Sequence, residues 1–231
     1  MQPMQKKANI ILLSGVLLNL SIGVLYAWSV IKSRLIAPLA DGGWGWSSQE
    51  AGLPYTVVIG CFALGLLVGG RIQDKVGPRK VTTIGCIMVG MGLVLSGFVG
   101  NNPMRLTLSY GVVTGLGIGF AYGSVTPSAL KWFHPSKKGL VSGLIVGGFS
   151  MAAVYLAPLT NTLLKNYGAN YGIVFLGWGL AGLVAPMIAD IIYDATAGYN
   201  TAYIICALMM AAMIPANMLF KADLTKLEVS R

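Results

Sequence analysis

Gly70-Arg71-Ile72-Gln73-Asp74-Lys75-Val76-Gly77-Pro78-Arg79-Lys80 is the stretch whose reading decides the fold. It reads G-x-x-x-D-K-x-G-x-R-K and joins two apolar runs, 51–70 and 81–99. Each run is close to the roughly 20 residues that a helix needs to cross hydrocarbon. Gly77 and Pro78 suit a tight turn. Arg71, Lys75, Arg79 and Lys80 translocate poorly and hold that turn in the cytoplasm. Asp74 is an acceptor for a neighbouring helix N-terminus or an arginine. An ordinary basic turn accounts for the cations, but not for an aspartate and two glycines at fixed offsets among them.

Working outward, apolar runs of similar size lie at 9–31, 105–129, 139–163, 171–193 and 201–220, making seven in all. The chain has 231 residues, 55% apolar and only 10% charged. Soluble domains carry about 25% charged residues, so a soluble enzyme, a disordered tail and a nucleic-acid-binding domain are excluded. The first run follows Lys6 and Lys7 but shows no small-x-small cleavage site, so it reads as an uncleaved span. With the N-terminus inside, the inner loops to the fifth run hold nine cations: Lys6, Lys7, Arg71, Lys75, Arg79, Lys80, Lys131, Lys137 and Lys138. The outer loops hold Lys32, Arg34 and Arg105. That asymmetry fixes the orientation of the first five spans.

Cys61, Cys86 and Cys206 sit in apolar runs without C-x-x-C spacing, so no disulfide framework or metal site is indicated. His134, the single histidine, stands in a basic loop and reads as a solvated or structural residue. No catalytic constellation is present, no enzyme is expected, and Gly117-Ile118-Gly119 belongs to a packing ladder rather than a phosphate loop. That ladder, Gly111, Gly115, Gly119 and Gly123, marks a face that a neighbouring helix approaches closely. Gly65 with Gly69 and Gly143 with Gly147 repeat the spacing on the second and fifth spans.

The 70–80 stretch resembles the signature between helices two and three of the major facilitator superfamily, transporters built from two six-helix halves around a central site. Leu25-Tyr26-Ala27-Trp28-Ser29-Val30, and Lys131-Trp132-Phe133-His134-Pro135-Ser136-Lys137-Lys138-Gly139-Leu140-Val141-Ser142-Gly143-Leu144, narrow the resemblance to the oxalate/formate antiporter family. Its members exchange small carboxylates, including monocarboxylates, across bacterial or archaeal membranes. The resemblance implies an all-α polytopic transmembrane bundle in the cell membrane, with a cytoplasmic N-terminus and no cofactor or metal. It also implies that Gly70, Asp74, Lys75, Gly77, Arg79 and Lys80 form a conformational-switch loop. One departure is Gly111, where many superfamily members place an arginine.

Twelve helices are expected of such a family. Residues 1–165 resemble helices one to five, whereas 166–231 resemble helices eleven and twelve, joined at the Asn166-Tyr167-Gly168-Ala169-Asn170-Tyr171-Gly172 repeat. Helices five and eleven are repeat partners, and both segments carry an Ala-Pro, Ala157-Pro158 and Ala185-Pro186, at similar depth. In the family both run from the cytoplasm outward. A linker of about seven residues reaches about 24 Å and does not cross about 30 Å of hydrocarbon. Lys165, Lys221, Lys226 and Arg231 favour keeping the last pair in its family orientation, which leaves the C-terminal third frustrated.

No Lys, Arg or His lies well inside any run, and an unpaired charge at the bilayer centre costs at least about 2.5 kcal/mol. A dianion such as oxalate is therefore a poorer fit than a monocarboxylate. Recognition falls to Tyr26, Tyr55, Tyr122, Tyr155 and Trp178, whose hydroxyls donate and whose rings form apolar walls. Asn19 and Thr126 are polar companions, and Trp28 reads equally as a pocket residue or an interfacial belt residue, the role expected of Trp44 and Trp46. Asp190 reads as a water-facing helix end.

Three functions compete. One is secondary transport of a small carboxylate, with lipid bilayer and substrate as partners; the second is a truncated remnant or regulatory fragment. The third, a retinal-type receptor, requires a lysine in the last span, and 201–220 has none. A dimer of two such chains is the self-association that would rebuild a two-bundle pore.

Overall fold

Caps and breakers placed by the sequence set the limits of each helix. The computed structural model describes residues 2–167. Among them, five helices are long and apolar enough to cross a membrane: α1 (Ala8–Ile36), α2 (Ser48–Val76), α3 (Pro78–Gly97), α4 (Pro103–Leu130) and α5 (Pro135–Thr162). No strand occurs among the described residues. These five match the first five predicted runs. The runs at 171–193 and 201–220, and with them the 166–231 pair, Trp178, Asp190 and Cys206, lie outside the described residues apart from the helical end at Asn166 and Tyr167.

Ser47 starts α2 with a reciprocal cap. Its hydroxyl accepts from the Glu50 N–H at 3.2 Å, while a Glu50 carboxylate oxygen accepts from the Ser47 N–H at 2.9 Å, satisfying two otherwise orphaned donors. At the far end Gly77 adopts φ +89°, a region that side chains disfavour. Its N–H donates to the Gln73 carbonyl, and Pro78 then opens α3. The predicted turn is thus a single residue. Asn102 caps α4 by accepting from the Arg105 N–H at 3.1 Å. His134 caps the short 3-10 turn Pro135–Lys137 that opens α5, where its Nδ1 lies 2.9 Å from the Ser136 hydroxyl. This is the structural role expected of it.

α4 is the central helix, flanked by α2 and α3. Side chains added at Gly115 and Gly119 would lie 2.8 Å from the Val58 carbonyl and 2.5 Å from the Phe62 carbonyl of α2. Gly117, on another side of α4, comes as close to Gly85 and Val89 of α3. The α4 ladder and Gly65/Gly69 therefore act as expected. Gly143 and Gly147 do not: nothing lies within 4 Å of either, and Gly148 instead meets the Val16 carbonyl of α1. Periodicity marked the right helix but the wrong side of it. At Gly111 the space that an arginine would fill is taken by Val57 and the Pro54 carbonyl.

Two spans depart from α-helical winding at related places. The helix that contains α1 begins at Gln2 and is α-helical over Gln2–Ile22, 3-10 over Gly23–Ala27 and α-helical again over Trp28–Ile36. α4 is π-helical over Thr107–Thr114, a wide winding that is common at functional sites. Trp28 joins them, stacked on Tyr110 with centroids 4.8 Å apart. A hydroxyl chain ties the π segment to α3: Ser96 donates to Ser109 at 2.9 Å, and Thr114 donates to the Ser109 carbonyl, five residues back.

Candidate functional site

Four helices each bring one ring to a common patch. Tyr26 of α1 meets Phe149 of α5 edge-on at 5.5 Å; Phe149 stacks on Phe62 of α2 at 6.2 Å; and Tyr122 of α4 lies edge-on to Phe62 and Phe149 at 5.6 and 5.1 Å. Edge-to-face and offset contacts at these separations are favourable. The patch is apolar but carries two phenol hydroxyls. Tyr26 is 41% exposed, and its hydroxyl lies 3.4 Å from that of Ser150. The Tyr122 hydroxyl has no hydrogen-bond partner among the described residues.

Tyr155 makes a different contact. Its hydroxyl donates to the Leu20 carbonyl at 3.0 Å, so its one hydrogen is already committed within the fold. Leu20 lies in the last α-helical turn before the 3-10 break, where carbonyls lack their usual partners. Tyr55 is 37% exposed and stacks on Trp28 at 6.5 Å. Tyr26 and Tyr122 thus belong to one patch, Tyr55 to a neighbouring aromatic group and Tyr155 to the α1–α5 joint.

Trp28 is neither of the roles offered for it. It is buried, donates from Nε1 to the Ala51 carbonyl at 3.2 Å and stacks between Tyr55 and Tyr110. Trp46 is likewise buried rather than a lipid-facing belt residue, and its indole N–H donates to the Asn101 side chain. Trp44 packs against it at 5.3 Å. Asn19 is fully buried and donates to the Ile145 carbonyl at 2.9 Å, stapling α1 to α5, while its own oxygen has no partner among the described residues. Thr126 is also partnerless among them.

Sequence reasoning missed Phe62, Phe149 and Tyr110. A phenylalanine in an apolar run carries no polar signal, and only the convergence of α2, α4 and α5 distinguishes these rings from ordinary lipid-facing ones. In the 70–80 loop Asp74 is exposed, and its expected acceptor role finds no partner among the described residues; Gly70, Lys75 and Lys80 are half-buried or exposed there. Buried Gln73 beside it holds an unpartnered oxygen. No group of three metal-ligating side chains occurs among the described residues.

Five packed spans joined in this order, with the one-residue α2–α3 turn, make a specific architecture. The family model of the Major Facilitator Superfamily matches residues 11–171. The chain belongs to that superfamily. Among curated proteins, this superfamily member is 27% identical over 184 residues to an uncharacterized MFS-type transporter, YhjX, of Escherichia coli, covering 78% of the chain and 42% of that protein. It is 28% identical over 189 residues to the oxalate:formate antiporter of Oxalobacter formigenes, covering 79% and 41%. Apicoplast pyruvate carrier 1 of Toxoplasma gondii is 31% identical over 141 residues, covering 61% and 24%. The chain thus spans about two fifths of the length of the first of these relatives, and it is a multi-pass membrane protein.

Proposed function

We propose that the chain serves secondary transport of a small monocarboxylate, with the Tyr26–Phe62–Tyr122–Phe149 patch as its part of the binding surface. One observation carries this: four spans converge, each near its middle, to present two phenol hydroxyls within an apolar wall, with no charged side chain among the rings. Such a surface suits an anion bearing one charge and an apolar body, because hydroxyls donate to the carboxylate while rings hold the remainder. A dianion would need a countercharge that α1–α5 do not supply at that depth. The relatives named for pyruvate and for oxalate and formate support a small carboxylate as the substrate class.

Movement by alternating access is the expected mechanism, with the loop at Gly70, Asp74, Lys75, Gly77, Arg79 and Lys80 as its switch. The proposal includes a cytoplasmic N-terminus, placement in the cell membrane, and the division of the chain near residue 165 into a five-helix bundle and a helix pair. Tyr55 and Trp178 stand as secondary candidates for the binding surface, and Tyr155 contributes through the α1–α5 joint.

Uptake of labelled formate, lactate and oxalate into proteoliposomes tests the reading. Formate or lactate should enter or exchange faster than oxalate. Exchange of none of them would favour the alternative, a non-transporting remnant or regulatory chain.

A further inference from the structure

Two contacts pin α1 on either side of its 3-10 segment Gly23–Ala27. At Gly23 the helix lies so close to α5 that a side chain there would strike Ala152 and the Phe149 carbonyl, the latter at 2.5 Å. At Trp28 the indole is buried, donates to the Ala51 carbonyl of α2 at 3.2 Å and stacks on Tyr110 of α4 at 4.8 Å. Both partners of Trp28 are themselves fixed. Ala51 lies in the capped first turn of α2, its N–H donating to the Ser47 carbonyl at 3.0 Å, and the Tyr110 ring is fully buried.

Five residue steps separate the pins, and the winding decides whether both can be met. At three residues per turn each step turns about 120°, so Trp28 stands about 240° round the axis from Gly23. At 3.6 residues per turn each step turns about 100°, and the same five steps end at about 140°. The two windings therefore differ by about 100° at Trp28, enough to carry the indole away from Ala51 and Tyr110 while Gly23 stays against α5. Tyr26 lies between the pins, three steps from Gly23. The 3-10 winding eclipses it with Gly23, and it meets the same stretch of α5. Its ring lies edge-on to Phe149 at 5.5 Å, and its hydroxyl is 3.4 Å from that of Ser150. An α winding would turn Tyr26 about 60° off that line.

We propose that Gly23 and Trp28 set the winding of α1 between them, and that Trp28 is thereby a positioning residue for the Tyr26 hydroxyl. The placement of Tyr26 stands on these contacts alone, while its consequence for transport rests on the carboxylate reading above. Six α-helical steps turn about 600°, as five 3-10 steps do, and rise about 9 Å against about 10 Å. An alanine inserted between Tyr26 and Ala27 thus lets this part of α1 wind as an α-helix with both pins held. The new methyl then stands about 40° from the Gly23 side, close to where Tyr26 stood.

The test uses the full chain. With the alanine inserted between Tyr26 and Ala27 it should fold, with a melting temperature in detergent within about 4 °C of the unaltered chain. The same insertion between Val16 and Leu17, where Gly15, Val16 and Asn19 all meet α5 in plain α winding, should lower it by more than about 10 °C or yield no folded protein. Equal damage at the two places overturns the winding. The placement of Tyr26 is read by fluorine NMR of a fluorinated tyrosine in its place, whose resonance senses the Phe149 ring; Phe149→Leu marks where it falls without that ring. The insertion and Trp28→Leu should each move the resonance toward that mark, and Trp28→Phe, which keeps a ring against Tyr110, should move it less. A resonance unmoved by Trp28→Leu, or by Trp28→Phe if the leucine variant does not fold, overturns the positioning role. In uptake, Trp28→Phe should raise the KM for formate about fivefold where Tyr26 is intact and less than about twofold beside Tyr26→Phe. Equal rises in both backgrounds overturn the positioning role while the transport reading stands. Both structural readouts as expected, in a chain that exchanges no carboxylate, keep the pins and defeat the transport reading.

Discussion

Tyr155→Phe separates a structural hydroxyl from a substrate-binding one. The substitution removes a single oxygen from a half-buried ring and leaves the Leu20 carbonyl without its donor at 3.0 Å. That carbonyl sits where α1 changes from α-helical to 3-10 winding, so no backbone N–H four residues on is in place to replace the phenol. Leaving a buried acceptor unpaired costs about 1–3 kcal/mol. The partial exposure of Tyr155 admits some compensation by water, which places the expected loss near the lower end. For a chain of this size that corresponds to a fall of several degrees in melting temperature, at about 2–4 °C per kcal/mol. Thermal unfolding of the purified protein in detergent should show this fall, while the KM for lactate or formate should move less than twofold, the hydroxyl not being a substrate contact. A melting temperature unchanged within a degree, together with a large rise in KM, would refute the argument and return Tyr155 to the binding surface.

Further expectations follow from the same geometry. Gly119→Val should destabilise strongly, by more than about 3 kcal/mol, because its side chain would be driven into the α2 backbone. Gly143→Ala, with nothing within 4 Å, should be neutral or stabilise by about 0.5–1 kcal/mol through helix propensity, and the pair is checked by melting temperature. Ser47→Ala removes the acceptor that starts α2 and should cost about 1 kcal/mol in the same assay. A cysteine at His134, in an exposed loop, should be labelled by an impermeant reagent from the side that carries the N-terminus, and labelling from the opposite side would contradict the proposed orientation.

Helix number and order across residues 2–167 were legible in the sequence because each signal there is local. Apolar length marked the spans, the cations marked their ends, and Gly77-Pro78 marked a turn that proved to be one residue long. Glycine spacing was legible only in part. Gly115 and Gly119 lie against α2, but Gly143 and Gly147 face open space, since a period identifies a side of a helix and not the neighbour that arrives there. The π-helical winding at Thr107–Thr114 had no readable cue, as it is held by Ser96 of another helix and by the Thr114 hydroxyl reaching five residues back. Tyr26 and Tyr122 were picked out in the sequence as ring-and-hydroxyl candidates for recognition, yet their meeting on Phe149 depends on α1, α4 and α5 converging. The donor contacts of Tyr155 and Trp28 were not legible for one reason: a backbone carbonyl, Leu20 or Ala51, accepts from each, and no sequence pattern reveals which carbonyl takes a side-chain donor.

The central claim is that the four-helix aromatic patch recognises a monocarboxylate. Counterflow measures it most directly: proteoliposomes holding the unsubstituted chain, Tyr26→Ala or Tyr122→Ala are loaded with unlabelled formate and given labelled formate outside. The unsubstituted chain should accumulate label transiently, and each substitution should reduce the initial rate about tenfold or more, as expected from loss of a charge-assisted hydrogen bond. Counterflow that proceeds undiminished in both variants would contradict the account.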